Sequence, residues 1–438
     1  MSVRSGVSAV ALLALLSATA FLFGGSTPAE AHGAVTFPKY KLVGSHHHKT
    51  PPVQPVPAPV DNVKDFGAKG DSITDDTNAI QSAANDAANN HRSLFFPAGT
   101  YVHNGALTFN GIVVNGVGAN SILKATNEDS CAVVLTGTSP SLNNMEIWTY
   151  DLTEETSDTP LTNLPNEGNV FVYNATGFAV HNLTLVQGQH FAAVVVANSS
   201  VAMISGNTFY GTASLNDTGV WIDNSSYNVT VYGNVFQNED YGVNVSNTGA
   251  GSGSQFIAVI GNSIGATHSA GVAMAGVNTL DINQNAIQMA DASSSPYAIS
   301  VQQCNNVIVS QNSTSGGVVG INAQQIGPGQ NSISENTIRN PGTAAIFSDN
   351  ASTTLLYITG NLVGECGLTD TGSSPNNAVI DVTGADASGA TTFVQNNCYQ
   401  GHQNGLDCLV TCTFTTPHIP PGNVSGNTQT QTTLPNSI

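Results

Sequence analysis

Asp217, the pair Glu239 and Asp240, and His268 are the residues of this chain best suited to acid–base chemistry. Counted through Asp240, they are 23 and 28 residues apart. Two carboxyl groups can break a glycosidic bond with inversion. One, protonated, delivers its proton to the leaving oxygen, and the other, ionised, activates water from the opposite face. A neighbouring histidine can tune such a pair through hydrogen bonding or charge. For separate segments to act together in this way, the chain must return to one place once per interval.

A repeat supplies that return. Short alternating apolar stretches end in asparagine at Asn182, Asn207, Asn234, Asn262, Asn285, Asn312, Asn336 and Asn361, with irregular returns near Asn397 and Asn427. Successive gaps of 25, 27, 28, 23, 27, 24 and 25 residues are too short for a propeller blade and suit one coil of a parallel β-helix. A short β-branched strand cannot bury its apolar face alone, but stacked coils share a continuous core. Asparagine suits the corner, because it tolerates the left-handed backbone region and its amide can bond the same group one strand spacing away. These asparagines are therefore expected to be structural, even where, as at Asn182 and Asn312, they form an Asn-x-Thr sequon.

Aligning the coils by their small-then-β-branched strand starts puts Ala192-Ala193, Gly219-Val220, Gly242-Val243, Gly271-Val272, Ala298-Ile299 and Gly320-Ile321 in register. His190, Asp217, Asp240 and Ser269 then form one polar column, and Gln189, Asn216, Glu239 and His268 the column beside it. Strand alternation aims Trp221, Asp223 and Asn244 outward on the same side. With His190 and Tyr241 they make the expected substrate-binding set, Trp221 being the platform for a sugar ring.

Composition limits what the partner can be. Nine Lys and Arg against 28 Asp and Glu give a net charge of -19, and no basic stripe is available for nucleic acid. The same field opposes polyanionic glycans unless a cation offsets it, so neutral glycans fit more easily. Met1-Ser2-Val3-Arg4, the apolar run Val7 to Phe23 and Pro28-Ala29-Glu30-Ala31 read as a signal peptide spanning 1–31. The expectation is a secreted or periplasmic monomer with no membrane span. Residues 32–60 form a His- and Pro-rich tail, with His46-His47-His48 followed by prolines from Pro51 to Pro59. The solenoid is expected over 61–438, interrupted by an acidic, aromatic insertion at about 138–169. Six cysteines in an exported chain could form up to three disulfides, with Cys398, Cys408 and Cys412 near the C-terminal end. No Cys/His spacing supports zinc, so no metal site or cofactor is assigned; calcium on acidic clusters stays open.

From Val63 to Gln81 the chain reads VKDFGAKGDSITDDTNAIQ. Thr74 or Asp75 can cap a helix there, and Ile80, Ala83, Ala84 and Ala87 lie at helical spacing, fitting a plug at the N-terminal end of the solenoid. Leu94-Phe95-Phe96-Pro97-Ala98-Gly99-Thr100-Tyr101 and Ile112-Val113-Val114-Asn115-Gly116-Val117-Gly118 follow as strand and turn. This stretch resembles the N-terminal signature of the pectate-lyase-like superfamily, especially its rhamnogalacturonase- and polygalacturonase-related subgroup. The resemblance implies an all-β, right-handed, single-stranded parallel β-helix with a short N-terminal capping helix. It does not fix the chemistry, since hydrolases, lyases, epimerases, tailspikes and adhesins share the scaffold.

The polar columns are also similar in order to the polygalacturonase motifs Asn-Thr-Asp, Asp-Asp and Gly-His-Gly. Here Asn216-Asp217-Thr218, Glu239-Asp240 and Thr267-His268-Ser269 stand in those places. The likeness implies Glu239 as general acid, Asp217 and Asp240 as the residues that position water, and His268 as their modulator. The family's Arg-Ile-Lys is replaced by Ser295-Pro296-Tyr297-Ala298-Ile299-Ser300, so no cation is present to clamp a uronate. The reading is a carbohydrate-active protein, an inverting glycoside hydrolase first. A non-catalytic glycan-binding or structural solenoid is the alternative, and a polysaccharide lyase or epimerase, using a histidine base, the third.

Overall fold

The structure, a computed structural model, describes residues 59–127, 130–149, 168–188, 192–212, 217–223, 225–246, 255–290, 296–349, 355–364, 378–383, 391–401, 408–413, 424–425 and 427–431. The expected signal peptide, residues 32–58 of the expected tail and His190 lie outside these residues, whereas Val60, placed in the tail, belongs to the strand Val60–Asn62. What is described is a right-handed parallel β-helix, all-β apart from a single α-helix.

Each coil contributes three strands, and every pairing joins equivalent strands of neighbouring coils in parallel. We call the three sides faces A, B and C. In one coil they are Thr218–Asp223, Tyr227–Tyr232 and Val235–Gln237. Faces A and B belong to one 26-stranded sheet and face C is a separate sheet of 14 strands. Inward residues stack in columns, Val194, Val220, Val243, Val272 and Ile299 on face A and Ile204, Val231, Val259, Ile282 and Val309 on face B. Face C adds Leu185, Phe209, Phe236, Ile264 and Ile287, with the Phe209 and Phe236 rings stacked 4.4 Å apart. All are essentially excluded from solvent. Columns of β-branched residues fit because parallel coils repeat at one strand spacing, which lets like side chains nest.

Why face A strands begin with a small residue follows from the neighbouring face. A Cβ at Gly219, Gly242 or Gly271 would lie 2.4, 2.7 or 2.4 Å from Phe236, Ile264 or Ile287 of face C. The backbone there presses on the core, and at these three positions glycine, without a Cβ, is what leaves room.

The asparagine ladder turns the corner from face B to face C. Asn207, Asn234, Asn262, Asn285, Asn312, Asn336, Asn361 and Asn397 are all buried. From Asn234 onward each Oδ1 accepts both the backbone N–H and the Nδ2 of the ladder residue one coil before, as Asn312 does from Asn285 at 3.0 and 2.9 Å. Two expectations change. The left-handed residue is the one before the ladder position, Gly206, Gly233, Gly261, Gln284, Gln311 and Glu335, and the ladder asparagines themselves do not have positive φ. Asn182 occupies that left-handed place, at φ 50°, and Leu183 fills the ladder slot, its N–H donating to Asn207 Oδ1 at 2.9 Å.

Helix α1, Thr77–Asn89, buries Ile80, Ala83, Ala84 and Ala87 in the solenoid core, as its spacing predicts. Its N-cap is Asp76, whose carboxylate bonds Lys69 N and Gly70 N at 2.7 and 2.9 Å, while Asp75 takes Thr77 N at 3.0 Å. The helix start is therefore tied to the preceding turn by two aspartates.

The repeat also runs further than the sequence suggests. Ser141–Asn143 and Glu146–Trp148 pair with coils on both sides, so 141–148 are not insertion. A framework of three disulfides is overturned too, because Cys131 and Cys304 are buried thiols, held by burial at pKa values of about 12 and about 11. Among the described residues, no helix is long and apolar enough to cross a membrane.

Candidate functional site

Parallel pairing stacks the acidic residues as the spacing predicts. The Asp217 carbonyl accepts from Asp240 N and Tyr241 N, both at 2.9 Å, and the Asp240 carbonyl accepts from Ser269 N at 2.9 Å. His268 N donates to the Glu239 carbonyl at 3.3 Å. Asp217, Glu239, Asp240 and His268 thus meet on three consecutive coils at the entry to face A. A register shift between Gly265 and Thr267 lies just before His268, where one extra residue bends the strand at this corner.

The acids are closed in. Glu239 is fully buried and Asp217 and Asp240 are each 2% exposed. Asp217 Oδ2 accepts from Thr212 N at 2.9 Å and from the Thr212 hydroxyl. Neither side-chain oxygen of Glu239 has a hydrogen-bond partner, and a Cβ at Gly211 would lie 2.8 Å from its Oε2. Burial first, and the charge of Asp217 second, raise the Glu239 pKa well above the usual glutamate value. Burial and the Asp217 charge thus both favour the protonated form of Glu239, the form a proton donor needs.

A pH dependence follows. The folded pKa of Glu239 exceeds its unfolded one, so its contribution to stability is fully present below the ordinary glutamate range and is lost as pH rises through the raised value. Glu239→Gln keeps the neutral shape and removes the titration. Chemical unfolding across pH should show the wild type losing stability relative to the variant as pH increases; parallel profiles would contradict the assignment.

Beside the acids, face A carries a cleft of about 320 Å³ lined by Tyr241, Asn244, Ser269, Tyr297, Ser300 and Gln302, among others. Register explains its shape. Ala270, Ala273 and Ala275 lie on its floor, and one coil away on either side stand larger residues, Tyr241 and Tyr297 against Ala270, Asn244 and Ser300 against Ala273, and Gln302 against Ala275. One coil of alanines between two bulkier coils is a notch. No charged residue lines it.

The expected substrate-binding residues divide. Tyr241 and Asn244 line the cleft. Trp221 faces outward as alternation requires, yet it is only 2% exposed, packed with Cys131, Phe171, Ala192, Val195 and Ala197 in an apolar cluster separate from the main core. It cannot serve as an open stacking platform. Asp223 is committed to a turn, its Oδ1 accepting from Ser225 N at 2.9 Å and the Ser225 hydroxyl at 2.7 Å. Ala192 pairs with Thr218, one residue away from the alignment that placed His190 in the acidic column, and His190 lies outside the described residues. Tyr297, Ser300 and Gln302 escaped the sequence reading. The signal was the run of alanines opposite bulkier residues, visible only once the coils are in register. Among the described residues, no group of three or more His, Cys, Asp or Glu is placed to hold a metal ion.

Comparison with known proteins agrees with this architecture. Residues 60–266 match the family described as Rhamnogalacturonase A/epimerase, pectate lyase-like. No curated protein sequence matches significantly. Among solved structures, the Agl-KA catalytic domain superposes with a TM-score of 0.53 at 16% identity, covering 87% of this chain and 70% of that one. A hyperthermoactive exopolygalacturonase from Thermotoga maritima gives 0.48 at 12% identity, over 82% and 91% of the two chains. PfbA, a surface adhesin of Streptococcus pneumoniae, gives 0.46 at 14% identity, over 85% and 91%. At 16% identity the likeness to the Agl-KA catalytic domain speaks for the fold alone. Over residues 60–266, this right-handed β-helix is similar to the family described as Rhamnogalacturonase A/epimerase, pectate lyase-like.

Proposed function

We propose that the protein is exported and binds a neutral polysaccharide in the cleft across face A. The observation that carries this reading is the cleft itself, a notch floored by alanine, walled by tyrosine, asparagine, serine and glutamine, and free of charge in its lining. Sugars present apolar ring faces edged by hydroxyls, and aromatic walls with a few neutral polar groups match both. A uronate would need a cation. Lys124 and Arg339, the last two basic residues apart from histidine, both lie on face C, in register with Trp148 and with Ser315, so neither belongs to the cleft. The net charge of -19 further opposes a polyanion.

Hydrolysis is a second reading, and Glu239 favours it. Burial and the Asp217 charge favour the protonated form of Glu239, one coil from His268, and that is the form a general acid needs. Its burial means that the turn at Gly211 and Thr212 must move before it reaches a glycosidic oxygen.

Electrophoresis through gels containing neutral glucans, mannans and galactans, or polygalacturonate and alginate, tests the binding reading. Retardation by a neutral glycan is the expected result, and retardation by polyanions only would refute it. Assaying reducing ends with the retarding glycan tests hydrolysis. Release by the wild type that Glu239→Gln and Asp240→Asn abolish would establish it, whereas unsaturated products would point to a lyase. Binding without any product would leave a glycan-binding solenoid.

A further inference from the structure

The cleft has a repeat spacing of its own. Tyr241 pairs with Ala270, and Ala270 with Tyr297, so the two tyrosines stand two strand steps apart with only a methyl group between them. Two steps are roughly 10 Å. Packing one saturated ring between two aromatic faces takes about 3.5–4.0 Å on each side, or roughly 7–8 Å in all. The gap admits one ring and not two. Three residues further along the same strands, Asn244 and Ser300 flank Ala273 in the same way.

Resting on the reading of the cleft as a neutral-glycan site, we infer that Tyr241 and Tyr297 clamp a single pyranose ring between them, with the glycan chain running along the strands and across the solenoid axis. The clamp axis is the solenoid axis, since the tyrosines are displaced along it by two coils. A ring held flat between them lies in the plane of the coil, and its glycosidic bonds leave within that plane, toward Asn244 and Ser300 on one side. Those two side chains then meet the hydroxyls of the adjoining sugar. The polar wall is graded as well. Asn322, fully buried in the next coil, donates through Nδ2 to Ser300 Oγ at 3.3 Å, which leaves the serine proton free to be given to the ligand.

The test is calorimetric titration of the full chain with an oligosaccharide of the neutral glycan that retards it in the gels. Tyr241→Ala and Tyr297→Ala should each weaken binding at least tenfold, while Tyr297→Phe, which keeps the ring and loses the hydroxyl, should stay within about twofold. The phenylalanine variant also guards against misfolding, since it preserves the packing. Full affinity in both alanine variants, with binding still lost on filling the notch at Ala273, would overturn the clamp and leave the cleft as the site. Tenfold weakening in Tyr297→Phe would replace stacking by a hydrogen bond and equally overturn it. Absence of wild-type binding to any neutral glycan would remove both the clamp and the reading beneath it.

Discussion

Asn285→Ala should destabilise the solenoid by about 3–5 kcal/mol, a loss reached by few single substitutions. Asn285 Nδ2 donates to Val259 O at 2.8 Å and to Asn312 Oδ1 at 2.9 Å, and its Oδ1 accepts from Asn262 N and Nδ2 at 3.0 and 2.9 Å. Alanine removes all four bonds at once. The Asn262 N–H and the Val259 carbonyl are then left buried without those partners, at about 1–3 kcal/mol each, on top of the broken ladder and the void. Asn182→Gly is the control, because Asn182 is exposed, outside the ladder and at φ 50°, where glycine is unstrained, and it should change stability by less than about 1 kcal/mol. Urea unfolding measures both. Equal, small losses would mean that the ladder does not hold the coils in register.

Ala273→Trp should abolish glycan binding, lowering affinity at least about 100-fold, with the fold intact. Ala273 points outward from a strand whose inward neighbours, Val272 and Met274, carry the packing, so an indole there leaves the core untouched. It would stand between Asn244 and Ser300 and fill the middle of a cleft of about 320 Å³. Loss of both the ring contacts and the polar edge corresponds to more than about 2.7 kcal/mol of binding free energy. A folded variant that binds as the wild type does would place the glycan elsewhere.

The solenoid was legible in the sequence because its period is imposed by geometry. Each coil must return a β-branched residue to the same column and an asparagine to the same corner, and both leave marks in every repeat. The acidic column was legible for the same reason, since Asp217 and Asp240 keep a fixed distance from the strand start. Slips of one residue were not. Asn182 and Ala192 each sit one place from where the pattern put them, because Leu183 can fill a ladder slot and two small residues in succession leave the strand start ambiguous. Trp221 shows a different limit. Alternation tells which way a side chain points but not whether that side is open, and its outward face is packed with Phe171 and Val195. The cleft depends on a contrast between coils 27 to 29 residues apart, alanines opposite tyrosines, which no single segment displays.

The account turns on the neutral character of the ligand, and calorimetry at physiological ionic strength addresses it directly. The wild-type chain would be titrated in parallel with a neutral oligosaccharide chosen from the gels and with an oligogalacturonate of equal length. Binding of the neutral glycan whose affinity is unchanged when salt is raised is the predicted result, since no charge pair contributes. Tighter binding of the oligogalacturonate, weakening with salt, would show a cation at work in the site and contradict the account.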